Sequence, residues 1–220
     1  MDNNMTICIG RQMGSGGSTI AKALAERLGA QFYDREILSL AADESGFCTE
    51  FFEENDENRG FLKTLFHLHA PHVGDSNFYN NRFSQEWLFQ LQSEAIRKAA
   101  EKGSCVFVGR CADYILRDFP GMVSVFVTAD AKERLQRVAL RRGCDEDSAA
   151  KYIDDTETRR AAYYNYYTGK IWAAADGYDL CVNSSRLGIE GTVELLAHYV
   201  EERRKACPGD GGDVPESQLP

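Results

Sequence analysis

The sequence predicts an α/β domain built on a parallel sheet. Two observations carry that expectation. An apolar run, Thr6-Ile7-Cys8-Ile9-Gly10, feeds a glycine-rich loop and then a helix, and further short apolar runs alternate with helical periods down the chain. The 220 residues suffice for one such domain with an insertion and can bury a sizeable core.

The elements follow in order. After the first strand, the loop Arg11-Gln12-Met13-Gly14-Ser15-Gly16-Gly17 leads to a helix opening at Ser18-Thr19. Ile20, Ala21, Leu24, Ala25 and Leu28 share one face of that helix, and Gly29 ends it. Gln31-Phe32-Tyr33-Asp34 reads as a second short strand, and residues 35–47 as a helix. Residues 48–84 show no sustained period and are expected to form an insertion. A helix over 85–102 carries Leu88, Leu91, Ala95 and Ala99, and Ser104–Gly109 and Met122–Val127 read as buried strands. Asp130 and Glu133 have the form of a capping box for a helix running to about Arg142, and residues 145–168 continue as helix. Tyr178–Asn183 is the last expected strand, followed by a helix with Ile189, Val193, Leu196 and Val200 in line. The organisation expected is one domain over 1–206 with a frayed tail over 207–220, where three of the five prolines fall.

Charge narrows the function classes. The net charge is −9, and residues 34–58 contribute nine acids against the single base Arg35. Residues 130–172 carry nine bases against eight acids, so the rest of the chain offers no broad basic surface for a nucleic-acid polymer. Local arginine clusters still suit a small anion. No apolar run approaches the roughly 20 residues that span a bilayer, and no charged-then-apolar leader opens the chain, so no membrane partner is expected and the cytoplasm is the expected compartment. Seven cysteines without a C-x-x-C pair argue for free thiols, with Cys8, Cys105 and Cys181 inside strand-like runs.

A strand ending in glycines and running straight into a helix is suited to holding phosphate. Glycine lets backbone amides turn inward, and the helix N-terminus adds partial positive charge. Gly14, Ser15, Gly16, Gly17, Ser18 and Thr19 are the candidate cradle, and Ser18 or Thr19 could reach a Mg²⁺ held by the phosphates. Laid over G-x-x-x-x-G-K-[ST], the loop has Arg11 in place of the first glycine and Gly17 in place of the lysine. Another cation must then neutralise the phosphates, and Arg11 is the first candidate. Two alternatives stay open. The loop could simply pack strand on helix, or Gly14-x-Gly16 with Asp34 could serve a dinucleotide, although Thr19 stands where a third glycine belongs.

Ile9–Ala21, Phe32–Leu38, Val108–Leu116 and Tyr178–Glu190 together resemble the cytidylate kinase-like family, in order, through most of the chain. The lysine-less loop is itself a feature of that family. The resemblance implies a P-loop nucleoside monophosphate kinase fold, a three-layer α/β architecture with a five-stranded parallel sheet. It also implies a helical acceptor-binding insertion over about 35–84 and a helical lid over about 141–162. ATP with Mg²⁺ would be the donor, with Ser18 near the metal, and a nucleoside monophosphate, CMP or dCMP, the acceptor. Asp34 and Arg35 match the start of the family's acceptor site. Gly109 and Arg110 match its Gly-Arg-Asp block, with Cys111 in place of the Asp and Asp113 as a nearby carboxylate. Arg141, Arg159 and Arg160 fall where lid arginines would act, because guanidinium forks bind phosphate and stay charged when desolvated. A nucleotide-binding sensor or scaffold without catalysis, or a P-loop kinase of another small metabolite, are the competing functions, and a homodimer is left open. His67, His69 and His72 with Asp75 have ligand-like spacing but are read as ordinary loop histidines, the acidic run 50–57 as a solvated face, and the tyrosines of 163–167 with Trp172 as helix-end packing.

Overall fold

The structure, a computed structural model, describes residues 4–34 and 78–206. Arg35, the expected helix over 35–47, the acidic run, the three histidines, most of the insertion and the tail lie outside the described residues. In chain order the elements are β1 (Thr6–Arg11), α1 (Gly17–Leu28), β2 (Gln31–Tyr33), α2 (Phe78–Lys102), β3 (Cys105–Val108) and α3 (Ala112–Ile115). Then come β4 (Met122–Thr128), α4 (Ala131–Arg142), α5 (Glu146–Thr168), a 3-10 turn at Ala175–Gly177, β5 (Leu180–Asn183) and α6 (Ser184–Ala206).

The five strands form one sheet in the order β2-β3-β1-β4-β5, every pair parallel. Parallel strands covered on both faces need apolar side chains on both sides, which is why the strands read as continuous apolar runs. The period of two still sorts them. Ile7 and Ile9 of β1 with Val106 and Val108 of β3 face α1 and α6, together with Val123, Val125 and Val127 of β4. Cys8, Cys105 and Phe107 face the other way and meet Ile96 and Ala100 of α2, Ile115 of α3 and Tyr164 of α5.

The ends of the helices follow their punctuation. Gly29 closes α1 and Gly143 closes α4, each in the left-handed conformation, and Asp145 caps α5 by accepting from the Ser148 N–H at 2.7 Å. Asp130 does not close a capping box. Its Oδ1 instead accepts from Asn183 Nδ2 at 2.8 Å and Arg186 Nη2 at 2.9 Å, tying the end of β4 to the end of β5. The sequence reading is corrected elsewhere too. Helix α2 begins at Phe78, and the short α3 has too few residues for a period. Cys181 is exposed because β5 is an edge strand, and Gly188, with φ 70°, breaks α6 in its second turn. Val193, Leu196 and Val200 are buried as expected, while Ile189 packs at the core margin. The tyrosines do pack. Tyr167 stacks on Phe89 at 4.0 Å and Trp172 meets Phe126 edge-on at 5.4 Å. Among the described residues no helix is long and apolar enough to cross a membrane.

Leu24 is fully buried between the sheet and α6, on the helix that carries the glycine loop at its start. Leu24→Ala is expected to cost about 2–5 kcal/mol of stability through the cavity it leaves, measured by urea unfolding.

Candidate active site

The carboxyl ends of the parallel strands bring the sequence candidates together. Arg11 ends β1, Gly109 and Arg110 follow β3, and Asp34 follows β2, all on the same edge of the sheet. Between β1 and α1 the loop Gln12–Gly16 makes a tight corner with Gly14 at φ 82° and Gly16 at φ 80°. A Cβ on Gly14 would come within 2.7 Å of the Arg134 carbonyl oxygen, so this loop lies directly on the backbone of α4.

What fixes the corner is a set of donors aimed at its carbonyls. Arg134 Nε donates to Met13 O at 2.9 Å, Arg137 Nη1 to Gly14 O at 3.3 Å, Arg160 Nη1 to Arg11 O at 3.0 Å, and Ser184 Oγ to Ser15 O at 2.7 Å. In a planar trans peptide the carbonyl and the next N–H point in opposite directions. Drawing the Met13 and Ser15 carbonyls outward therefore turns the Gly14 and Gly16 amides the other way. Those two amides, with Ser18 and Thr19 at the start of α1, find no acceptor among the described residues. Ser18 and Thr19 are exposed, so the corner is open to solvent. An open array of unmatched amides at a helix N-terminus holds an anion.

Ser15 takes a different part from the one its sequence position suggests. Its side chain is fully buried beneath the corner, donating to Gln12 O at 2.9 Å and accepting from the Gly17 N–H at 3.3 Å. It shapes the cradle from below instead of facing a ligand.

Helices α4 and α5 supply the charge that the loop lacks. Glu157 accepts from the Met13 N–H at 2.9 Å and pairs with Arg134 at 2.5 Å, so one ion pair holds Met13 on both sides. Arg160 is drawn to the same corner. Arg159 bonds Thr156 on its own helix, while Arg141 and Arg142 lie exposed at the end of α4, Arg142 over the Tyr152 ring. The structure thus brings Arg11 and Arg160 to the loop and leaves Arg141 and Arg159 away from its carbonyls. Arg137 belongs to the arginine-bearing helix end that the sequence marks, whereas Arg134, Glu157 and Ser184 were missed in the sequence. The three-residue step from Arg134 to Arg137, which puts both on one helix face, was the available signal.

The corner after β3 is held in an uncommon backbone state. Gly109, Arg110 and Cys111 have φ of 70°, 60° and 57° in succession, and two of the three carry side chains. Gln92, fully buried on α2, donates to Arg110 O at 3.0 Å and to Tyr163 Oη at 3.4 Å, which fixes that strained turn from behind. Cys111 is buried, and desolvation, aided by the Asp113 charge and opposed by Arg110, pushes its thiol up to about 12. It stays neutral, so nothing anionic stands where the resembling family carries Asp. Asp113 accepts from Tyr164 Oη at 2.6 Å, which engages its carboxylate with α5. Arg11 Nη2 and Asp34 Oδ1 are 3.6 Å apart across the mouth.

Comparison with known proteins shows the family. A family model described as the cytidylate kinase-like family matches residues 6–186. The chain belongs to that family. A cytidylate kinase of Archaeoglobus fulgidus is 27% identical over 206 residues, covering 91% of this chain and 97% of the relative. One of Pyrococcus horikoshii is 24% identical, covering 99% and 98%. Among solved structures, an uncharacterised protein from Eubacterium ventriosum is 28% identical with a TM-score of 0.66, covering 90% of this chain and 98% of that one. A gluconokinase from Sinorhizobium meliloti, 14% identical with a TM-score of 0.52 and covering 94% and 97%, shares the fold. The family and fold make this a P-loop kinase with an α/β architecture of five parallel strands.

Burial raises the Asp113 pKa above its ordinary value, against the opposing Tyr164 hydrogen bond. A raised carboxyl stabilises the fold below its unfolded pKa and loses that contribution as pH rises through the folded value. Asp113→Asn keeps the acceptor for Tyr164 and removes the charge. It is expected to melt higher than the parent at pH 7, with the difference shrinking toward zero below about pH 4, followed by thermal unfolding across pH.

Proposed function

We propose that this protein transfers the γ-phosphoryl group of ATP to a nucleoside monophosphate, with CMP or dCMP as the acceptor. The observation that carries the reading is the open array of amides at Gly14, Gly16, Ser18 and Thr19, with Arg11 and Arg160 beside it. Relatives named cytidylate kinase support the choice of acceptor.

In this reading the donor phosphates accept hydrogen bonds from those four amides. The residues fit a phosphate-held Mg²⁺, since the exposed Ser18 hydroxyl stands at the helix start, and the ion would neutralise charge on the phosphate oxygens. Arg110, with Asp34, holds the acceptor on the β3 side, and Arg35 is assigned to the same acceptor phosphate from its sequence position alone. An acceptor phosphate oxygen attacks the γ-phosphorus in line, the bond from that phosphorus to the bridging oxygen breaks, and ADP leaves. The acceptor is already anionic at neutral pH, so positioning and positive charge carry the catalysis and no general base is required. The α4–α5 hairpin acts as the lid over about 141–162, and Arg141 and Arg159 join Arg160 on closure. Residues 35–84 form the acceptor-binding insertion.

A coupled assay with ATP, Mg²⁺ and a panel of monophosphates and small hydroxyl metabolites tests the reading. Turnover is expected with CMP or dCMP, and turnover on a metabolite alone would reassign the acceptor. No turnover on any of them at high enzyme concentration, with nucleotide still bound, would leave a sensor or scaffold. Arg110→Ala is expected to raise the acceptor KM by about 10–100-fold, the value of charge-assisted hydrogen bonds, and to leave the KM for ATP within about twofold. Equal loss for both substrates would refute the assignment of Arg110.

A further inference from the structure

Gly17 stands where a P-loop of the common kind carries its lysine. Its backbone does not require glycine. Among the described residues it is not one of those with positive φ, and it is the first residue of an ordinary helix. Space requires it. A Cβ on Gly17 would lie 2.5 Å from Arg11 Cβ and 3.0 Å from Arg11 Cγ. Those atoms are the root of the arginine, fixed by the β1 backbone, so they cannot swing aside as the tip of a long side chain can.

From there the Arg11 side chain runs along the sheet edge toward β3. A Cβ on Gly109 would fall 2.0 Å from its Nη1 and 3.1 Å from its Cζ, and Nη2 lies 3.6 Å from Asp34 Oδ1. The Gly109 N–H in turn donates to Ile9 O at 3.0 Å, which locks the two strand ends together. The side chain therefore starts against the first residue of α1 and ends with its guanidinium beside Gly109 and Asp34. It is 17% exposed, so it is largely desolvated yet reaches the mouth.

We infer that Arg11 and Gly17 are one exchanged unit. The strand-end arginine fills the volume that a helix-start lysine would need, and it carries that lysine's positive charge to the gap between donor loop and acceptor corner. Gly17 is glycine because it lines the root of this side chain, while Gly109, held at positive φ, lies beside its tip and Asp34 orients that tip. The steric half of this statement stands on packing alone. The charge half rests on the phosphoryl-transfer reading above. A planar fork in that gap can bond oxygens of two phosphates at once, which a single ammonium does less well, and positive charge placed there acts on the phosphoryl group as it passes.

The test is a double-mutant cycle on the full chain: wild type, Arg11→Ala, Gly17→Lys and the double variant. Each is measured by thermal unfolding, by calorimetric titration with the ATP analogue AMP-PNP and Mg²⁺, and by turnover. Gly17→Lys in the wild-type background is expected to lower the melting midpoint by several degrees, because two side chains claim one space. The same change on Arg11→Ala is expected to leave the midpoint within about one degree of that parent. Additive midpoints overturn the exclusion. Should Gly17→Lys fail to fold, Gly17→Ala serves in the same cycle.

Arg11→Ala is expected to lose about 10²–10³-fold in kcat, the scale of one transition-state donor, and the double variant to regain at least about tenfold. Non-additive midpoints with no regained turnover in an active wild type overturn the charge replacement and leave the exclusion standing. A wild type inactive on every acceptor sinks the kinase reading instead. The charge half is then judged by AMP-PNP affinity, and an affinity unchanged in Arg11→Ala overturns it.

Discussion

The orientation of two peptide planes underlies the whole site. An anion cradle at a helix start works only if successive amides point the same way, and amides left without partners are costly in the empty state. Here the cost is offset from behind. Arg134 holds the Met13 carbonyl and Ser184 holds the Ser15 carbonyl, so the amides that follow are turned away from them. Arg134 lies on α4 and Ser184 at the start of α6, so the geometry of a five-residue loop depends on two elements far away in the chain.

The same dependence brings positive charge to a loop without a lysine. Charge comes to it from three directions: Arg11 from the end of β1, Arg137 from α4 and Arg160 from α5. Each guanidinium is already hydrogen-bonded or paired within the protein, which fixes its direction. Glu157 prevents the cluster from being purely repulsive. It pairs with Arg134 and takes the Met13 amide, so that amide is not part of the open array.

The second corner, after β3, is governed by strain. Two side-chain-bearing residues in the left-handed region persist only when their surroundings over-determine them. Gln92 supplies part of that constraint from a fully buried position on α2, and Tyr163 and Tyr164 of α5 reach the same neighbourhood through Gln92 and Asp113. The helix that brings Arg160 to the glycine loop therefore also braces the turn that carries Arg110. The two corners are mechanically joined through α5.

The sequence by itself determined the local design. The continuous apolar runs of β1 and β3, the apolar face of α1, the glycine corner and the four family-like blocks were all legible, because each depends on residues a few positions apart. Asp130 shows where that reach ends. Its spacing from Glu133 suits a capping box, yet Asn183 and Arg186, more than fifty residues on, claim its carboxylate. Ser15 looked like a ligand contact and is buried, and Glu157, Ser184 and Gln92 carried no local mark of their part in the site. Only the tertiary structure decided which way the peptides of the loop face and why position 17 has no side chain. Both outcomes are set by atoms brought into contact across the sheet edge, where strand order, and not sequence spacing, decides what touches.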